Sequence, residues 1–249
     1  MVKISLIIPA HNEETFLPNL LDSVDNARKY FSFGPSSIEV IVVDNQSTDD
    51  TAAVASEYGC LVVQEKKRII AAVRNTGARV AQGELLAFTD ADNILHPETF
   101  NEIEKAMSSS KVVGGATGVR SDRMSLGIAC AYAIVVPMVW VTGMDTGVVF
   151  CRKRDFRNLD GYNERHLFGE DVDFLWRLIK YGRLRGQRLV RVKKCKAINS
   201  TRKFDQFGEW HYVCLVFKYL WSLIIRSYTI DDFAHTYWYS DRGSAEKKP

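Results

Sequence analysis

The sequence predicts an α/β fold built on a doubly wound, mostly parallel sheet with helices on both faces. Within residues 3–107, short apolar runs of strand length alternate with segments whose apolar residues recur at helical spacing. Polar residues follow where each apolar run ends, and ligands of open α/β sheets collect beyond the carboxyl ends of the strands. The alternation therefore predicts parallel strands connected by helices.

The composition of the 249-residue chain is that of a globular protein, with 46% hydrophobic and 25% charged residues. Its length suits one large domain or two small ones. Five cysteines without a Cys-x-x-Cys pair favour a reduced, cytosolic setting over a disulfide framework or a cysteine metal site. The net charge of +3 is too small to imply a partner, and we expect no nucleic-acid partner. The N-terminus runs directly into a strand pattern, so we expect no signal peptide.

The first two strands are predicted at residues 3–10 and 38–43. Asn12 is expected to be the N-cap of the first helix, with Glu13 in its first turn. Asp44 follows the second strand, where its carboxylate could accept hydrogen bonds from a base or ribose. An ordinary turn aspartate is the alternative interpretation.

The next helix is predicted over residues 66–82, and it carries Arg68 and Arg74. These arginines could be solvated helix charges, or they could point at a diphosphate. The strand at residues 85–88 then leads into Asp90 and Asp92. Two carboxylates at a strand end can share Mn²⁺ or Mg²⁺, which commonly keep waters and a substrate diphosphate as further ligands. The Asp-Ala-Asp signal is weak by itself, because most such triplets are turn or N-cap residues.

Further strands are predicted at residues 111–119 and 148–152, and an amphipathic helix begins near Glu170 and Asp171. A helix N-terminus stabilises carboxylates, so helix capping alone could explain this pair. Residues 183–203 contain nine Lys or Arg and no Asp or Glu. They form either a solvated basic strand or an electropositive surface for anionic lipid or a phosphorylated acceptor.

Two apolar segments raise the question of membrane contact. Residues 124–143 lack charge and are long enough to span a bilayer, but Pro137 favours a buried or membrane-resting helix. Residues 210–225 are rich in aromatic and aliphatic side chains. They could form an interface-lying helix, or pack on the domain or in a homodimer.

Four stretches together resemble the family 2 glycosyltransferases of GT-A fold: IPAHNEE, VVDNQSTDDT, ARVAQGELLAFTDADN and GVVFCRKRDFRNLDGYNERHLFGEDVDF. The resemblance covers about residues 3–205 in the right order. It implies a Rossmann-like GT-A domain over residues 1–205, with a nucleotide-sugar-binding half at 1–110 and an acceptor-binding half at 111–205. A hydrophobic helical extension is expected over 206–249.

The resemblance implies an inverting enzyme that transfers a sugar from a UDP- or GDP-sugar to a hydroxyl or phosphate-bearing acceptor, a glycan or a lipid-linked molecule. It implies Asp171 as general base, with Glu170 positioning it or contacting the acceptor, and Asp92 and Asp90 as metal ligands. The nucleotide-sugar would be bound by Pro9, Ala10, Asn12, Glu13, Asp44, Arg68, Arg74, Asp90, Ala91 and Arg202. Asn45 and Gln46 stand where many members carry Asp-Gly, so the identity of the nucleotide stays open.

Two other functions remain as alternatives. A sugar-phosphate nucleotidyltransferase generally carries a Gly-rich loop after its first strand, whereas residues 9–13 here contain no glycine. A non-catalytic nucleotide-sugar or lipid-binding module would not need both carboxylate pairs. The expected location is cytoplasmic, with peripheral contact at the inner face of the cell membrane.

Overall fold

Eight strands and six α-helices make up the framework of the described residues. The structure, a computed structural model, describes residues 1–130, 133, 145–165, 169–201 and 210. The strands are β1 (Ile4–Ala10), β2 (Ile38–Asp44), β3 (Leu61–Gln64), β4 (Leu85–Phe88), β5 (Asn93–Ile94), β6 (Val112–Ser121), β7 (Val149–Arg152) and β8 (Arg188–Asn199). The helices are α1 (Leu17–Tyr30), α2 (Thr51–Glu57), α3 (Ile70–Val80), α4 (Thr99–Met107), α5 (Lys153–Asn158) and α6 (Glu170–Arg183).

All eight strands belong to one sheet in the order β3-β2-β1-β4-β7-β6-β8-β5. β1 pairs in parallel with β2 and β4, and β2 pairs in parallel with β3, which confirms the predicted parallel half. β7 runs antiparallel to both β4 and β6, and the short β5 runs antiparallel to β8. The β4–β7 pairing therefore joins the two halves of the chain within a single sheet.

Alternate residues of the central strands supply two apolar cores, one on each face of the sheet. Leu6 and Val42 belong to the first core, which α1 and α4 cover. Ile7 and Val43 belong to the second core, which α3, α5 and α6 cover. Helices thus cover both faces, as the doubly wound prediction requires.

A glycine brings α3 unusually close to the sheet. A Cβ at Gly77 would lie 2.5 Å from Cγ2 of Ile7 and 2.9 Å from Cγ2 of Val43. Any larger residue would push α3 away from β1 and β2. This contact fixes the height of the preceding turn of α3, which carries Arg74 and Asn75.

Several sequence predictions fall wholly or partly outside the described residues. Among the described residues, no helix is long and apolar enough to cross a membrane. Residues 126–130 are helical, but most of the 124–143 segment and all of 210–225 except Trp210 lie outside the description. The domain boundary at residue 205 and the 206–249 extension likewise stay predictions.

Candidate active site

The carboxyl ends of β1, β2 and β4 meet at one edge of the sheet, and the predicted site residues gather there. The strand register places Ala10 of β1 beside Asp44 of β2, and Asp44 beside Gln64 of β3. Asp90 follows the end of β4 by two residues. The strand order β3-β2-β1-β4 therefore sets these residues in a row along this edge.

The loop after β1 is held to the loop after β2 by hydrogen bonds. The backbone N–H of Asn12 donates to Ser47 Oγ at 3.0 Å, and Asn12 Oδ1 accepts the Thr48 N–H at 2.8 Å. The N–H of Glu13 donates to Thr51 Oγ1 at 2.8 Å. The predicted N-cap role of Asn12 is wrong, because α1 begins later, with Phe16 at its N-cap. Asn12 instead adopts a left-handed conformation, with φ 52°, and its side chain satisfies the neighbouring loop.

Asp44 presents a buried and well-oriented carboxylate. Its Oδ1 accepts the Ser47 N–H at 3.0 Å, and its Oδ2 accepts Gln64 Nε2 at 2.7 Å. Only 4% of the residue is exposed. Each carboxylate oxygen has two lone pairs, so the held carboxylate can still accept a hydrogen bond from a ribose hydroxyl.

Arg68 and Asn45 organise the segment that leads into α3. Arg68 Nη2 lies 3.0 Å from His11 Nε2, and His11 Nδ1 lies 2.8 Å from the Asn45 carbonyl oxygen. Since an arginine can only donate, this network assigns the neutral His11 tautomer with its proton on Nδ1. Asn45 Nδ2 donates to the carbonyls of Glu65 at 2.7 Å and Lys67 at 2.9 Å. The side chain of Asn45 is thus used to hold this segment.

Arg74 lies at the centre of the site and contacts carboxylates from both halves of the chain. Its Nη2 donates to Asp90 Oδ1 at 2.9 Å, and its Nη1 donates to Glu170 Oε1 at 2.6 Å. The same Nη1 lies 2.9 Å from Asp171 Oδ1. Arg74 is 3% exposed, so one buried positive charge faces three carboxylates. The start of α6 brings Glu170 and Asp171 to this point, as predicted for a helix N-terminus.

The surplus of negative charge and the burial change the acidity of the site. Burial raises the pKa of Glu170 to about 7, although the Arg74 charge acts in the opposite direction. Burial also raises the pKa of Asp171, again against the effect of Arg74, and the charge of Asp90 raises it further. A carboxylate with a raised pKa is a better proton acceptor near neutral pH than an exposed one.

Asp90 and Asp92 offer oxygen ligands at a partly open position. The Asp90 side chain is 42% exposed, and Asp92 is partly buried. Within the described ranges, no group of three or more His, Cys, Asp or Glu residues could hold a metal ion alone. The pair therefore fits a hard cation that takes its remaining ligands from water and a diphosphate, such as Mn²⁺ or Mg²⁺.

The remaining predicted site residues occupy different positions. Pro9 and Ala10 end β1, and Ala10, Glu13 and Ala91 are buried beside the site edge. Arg202 lies outside the described residues, directly after the buried Thr201. The Thr201 hydroxyl donates to Asp122 Oδ1 at 2.7 Å, which ties the end of β8 to the end of β6.

Sequence reasoning missed both Tyr162 and Asn75. The hydroxyl of Tyr162 donates to Asp171 Oδ1 at 3.0 Å. The Asn75 side chain binds the backbone of Tyr162 through two hydrogen bonds of 2.9 Å. The available signal was a Gly-Tyr pair eight residues before Glu170, which is equally typical of a turn followed by a core aromatic residue.

The comparison with known families agrees with this geometry. Residues 5–126 match the model of Glycosyl transferase family 2. Through these residues the chain belongs to that family. The mouse dolichyl-phosphate beta-glucosyltransferase is 32% identical to this family 2 chain over 116 residues, which cover 43% of the chain and 36% of the mouse protein. The chain spans less than half the length of this and other curated relatives.

Solved glycosyltransferase structures share the fold of this family 2 chain. Staphylococcus aureus TarS in complex with UDP-GlcNAc has a TM-score of 0.62 at 20% identity, covering 80% of this chain and 59% of TarS. Glucosyl-3-phosphoglycerate synthase from Mycobacterium tuberculosis, in complex with Mn²⁺, UDP and glucosyl-3-phosphoglycerate, has a TM-score of 0.59 at 19% identity. That match covers 83% of this chain and 75% of the synthase. The likeness shows the GT-A fold that the sequence predicted.

Proposed function

We propose that this chain is an inverting glycosyltransferase that moves a sugar from a UDP- or GDP-sugar to an acceptor hydroxyl. The observation that carries the proposal is the position of Arg74 between Asp90 and the pair Glu170 and Asp171. Asp90 follows β4 in the predicted nucleotide-sugar-binding half, and Asp171 lies in the first turn of α6 in the other half. Direct displacement needs the donor sugar and the base to lie close together, and the shared contact with Arg74 supports this arrangement.

The donor side of the proposal is supported by the edge of β1 and β2. Asp44 would accept hydrogen bonds from the ribose, and the backbone of the held 11–13 loop would line the base. Arg68 and Arg74 place positive charge on α3 and the segment before it. Both relatives with solved structures described above bind UDP or a UDP-sugar, which supports a nucleotide-sugar donor here.

We assign Asp92 as the direct ligand of a divalent cation, with Asp90 contacting the cation through water or the ribose. When bound, Mn²⁺ or Mg²⁺ would offset the negative charge that develops on the departing diphosphate. Arg74 keeps Asp90 oriented from the protein side. The Mn²⁺ in the synthase complex supports a divalent cation, and the two carboxylates suit either ion.

Asp171 is the proposed general base. Its carboxylate takes the proton of the acceptor hydroxyl while the acceptor oxygen forms a bond to the anomeric carbon. The bond from that carbon to the diphosphate oxygen breaks, and a nucleoside diphosphate leaves with the bonding electrons. Attack opposite the leaving group inverts the anomeric configuration. Glu170 shares Arg74 with the base and positions it.

The proposed acceptor carries phosphate and lies at, or is linked to, an anionic membrane. Two relatives described above are named for dolichyl phosphate and for 3-phosphoglycerate. Lys193, Lys194 and Lys196 of β8 are exposed and bring positive charge to this half of the chain. Vesicles containing anionic lipid should bind the protein at low salt and release it as salt rises. No flotation with such vesicles at low salt would contradict membrane contact and turn attention to a homodimer.

The test of the reaction is a panel of UDP- and GDP-sugars with Mn²⁺, in which nucleoside diphosphate release and the anomeric configuration of the product are measured.

Asp171→Asn should lower the rate about 10²–10⁴-fold while donor binding is kept. Asp173→Asn is the matched control, because Asp173 lies in the same helical turn but pairs with Arg177 at 2.8 Å. Formation of nucleoside triphosphate and sugar 1-phosphate when pyrophosphate is added to the same donors would instead indicate a nucleotidyltransferase, and binding without turnover would indicate a binding module. A retained anomeric configuration would contradict inversion.

A further inference from the structure

Tyr162 combines a fully packed ring with a hydroxyl that reaches the active site. The ring is 1% exposed and contacts Phe88, Phe156 and Phe174, with ring centroids 4.7–5.8 Å away. Its hydroxyl donates to Asp171 Oδ1 at 3.0 Å. A tyrosine in an aromatic cluster needs no such partner for packing, since phenylalanine fills the same space. The hydroxyl therefore calls for an explanation beyond the core.

We propose that Tyr162 is a positioning residue that sets which oxygen of Asp171 accepts the proton, an inference that rests on the proposed role of Asp171 as base. Arg74 Nη1 lies 2.9 Å from Asp171 Oδ1, the same oxygen that accepts the Tyr162 hydroxyl. Two donors converging on Oδ1 fix the carboxylate plane and direct Oδ2 to the acceptor hydroxyl. Without the hydroxyl, the carboxylate could rotate about its remaining contact.

The Tyr162 hydroxyl is a dependable donor. Burial raises the pKa of Tyr162 well above its ordinary value, and the charge of Asp171 raises it further. The phenol therefore stays protonated throughout the working pH range. Its hydrogen bond favours the ionised form of Asp171, which opposes the effect of burial on that carboxyl.

Asn75 anchors Tyr162 to the same helix that carries Arg74. Asn75 Oδ1 accepts the Tyr162 N–H, and Asn75 Nδ2 donates to the Tyr162 carbonyl, each at 2.9 Å. Gly161 allows this approach, because it has φ 68° and a Cβ there would lie 2.5 Å from Asn75 Oδ1. Consecutive residues of α3 thus hold Asp171 by two routes, directly through Arg74 and indirectly through Tyr162.

The test compares Tyr162→Phe with the parent in the metal-free protein and in turnover. Among the described residues, the charged and titratable groups facing Asp171 are Arg74 from α3, Asp90 after β4, Glu170 on α6 and Tyr162 itself. Removing the hydroxyl deletes one contact to the ionised form, so carbon-13 NMR should show a raised pKa of the Asp171 carboxyl. With water in place of the acceptor, the kcat for hydrolysis of whichever UDP- or GDP-sugar is the donor should fall about 10- to 100-fold. The affinity for the corresponding nucleoside diphosphate should be unchanged. The acidic limb of the pH–rate profile should move to higher pH.

Two further variants separate the possible failures. Phe156→Leu disturbs the same aromatic cluster without removing a contact to Asp171, so it should lower thermal stability and leave the Asp171 pKa in place. In an Asp171→Asn background, Tyr162→Phe should cause no further loss of rate. If Asp171→Asn abolishes turnover but Tyr162→Phe changes neither the rate nor the Asp171 pKa, the positioning role is overturned and the base assignment stands. If Asp171→Asn remains fully active, the proposed base falls, and this inference falls with it.

Discussion

Replacing Arg74 with Met should destabilise the protein in a strongly pH-dependent way. Met fills much of the space of the arginine stem, so the main loss is the positive charge facing Glu170, Asp171 and Asp90. The Asp90 side chain is 42% exposed and can be solvated. Its ion pair with Arg74 therefore contributes only as much as a surface pair, about 0–1 kcal/mol of the free energy of unfolding. The side chains of Glu170 and Asp171 are only 11% and 16% exposed. Breaking a buried pair of this kind costs about 3–5 kcal/mol in the free energy of unfolding.

The pH dependence follows from the direction of the pKa changes. The pKa of Glu170 is already raised to about 7 in the parent, and that of Asp171 is raised too. Loss of Arg74 removes a charge that lowers both values, so both rise further. A carboxyl whose pKa is higher in the folded than in the unfolded protein contributes fully to the free energy of unfolding only below its unfolded pKa. That contribution is lost as the pH rises through the folded pKa. The cost of Arg74→Met should therefore be smaller at pH 5 than at pH 8.

Urea unfolding at pH 5 and pH 8, followed by circular dichroism, measures this difference. Arg152→Met is the matched control, because Arg152 donates to the carbonyls of Val112 at 2.5 Å and Met107 at 2.7 Å. The nearest carboxylate oxygen, on Asp155, lies 4.0 Å from Arg152 Nη1. The control should lose stability by a similar amount at both pH values. An equal cost of Arg74→Met at both pH values would refute the charge-based reasoning.

Two further predictions concern the metal and the backbone. Because a hard cation needs the carboxylate charge, Asp92→Asn should weaken UDP binding about tenfold or more with Mn²⁺ present and leave UDP binding in EDTA unchanged. Calorimetry measures both affinities, and an equal loss of affinity in EDTA would contradict the ligand role. Gln46 is exposed with φ 58°, a left-handed conformation that costs residues with a Cβ about 1–2 kcal/mol. Gln46→Gly should raise the free energy of unfolding by about 0.5–1 kcal/mol once the greater unfolded-chain entropy of glycine is subtracted. Gln46→Ala should leave the free energy of unfolding nearly unchanged. A gain in the alanine variant alone would point to the side chain rather than the backbone.

The sequence was informative wherever one local pattern decided the structure. Apolar runs ending in polar residues predicted the parallel strands and the position of Asp90 at a strand end. The start of α6 at Glu170 followed from the amphipathic pattern beyond it. These features depend on neighbouring residues, so a single sequence contains their signal.

Features that depend on distant contacts were harder to predict. Arg74 and Glu170 are 96 residues apart, and their contact depends on the antiparallel return of β7 beside β4. Asn12 carried the correct local signal for an N-cap, but its side chain binds Thr48, 36 residues away. The role of Tyr162 was hidden because its ring follows the rules of a core residue, while its function rests on one oxygen atom.

The hydrogen bonds between the loops after β1 and β2 also have an entropic consequence. Ordering the backbone of one residue costs about 1–2 kcal/mol. Residues 12–14 are already held by residues 47–51, through bonds that include Glu14 N–H to Asp49 Oδ2 at 3.1 Å. That cost is therefore met during folding. Under the proposed function, a nucleotide would meet a surface that is already ordered, so more of its contact energy would remain as affinity.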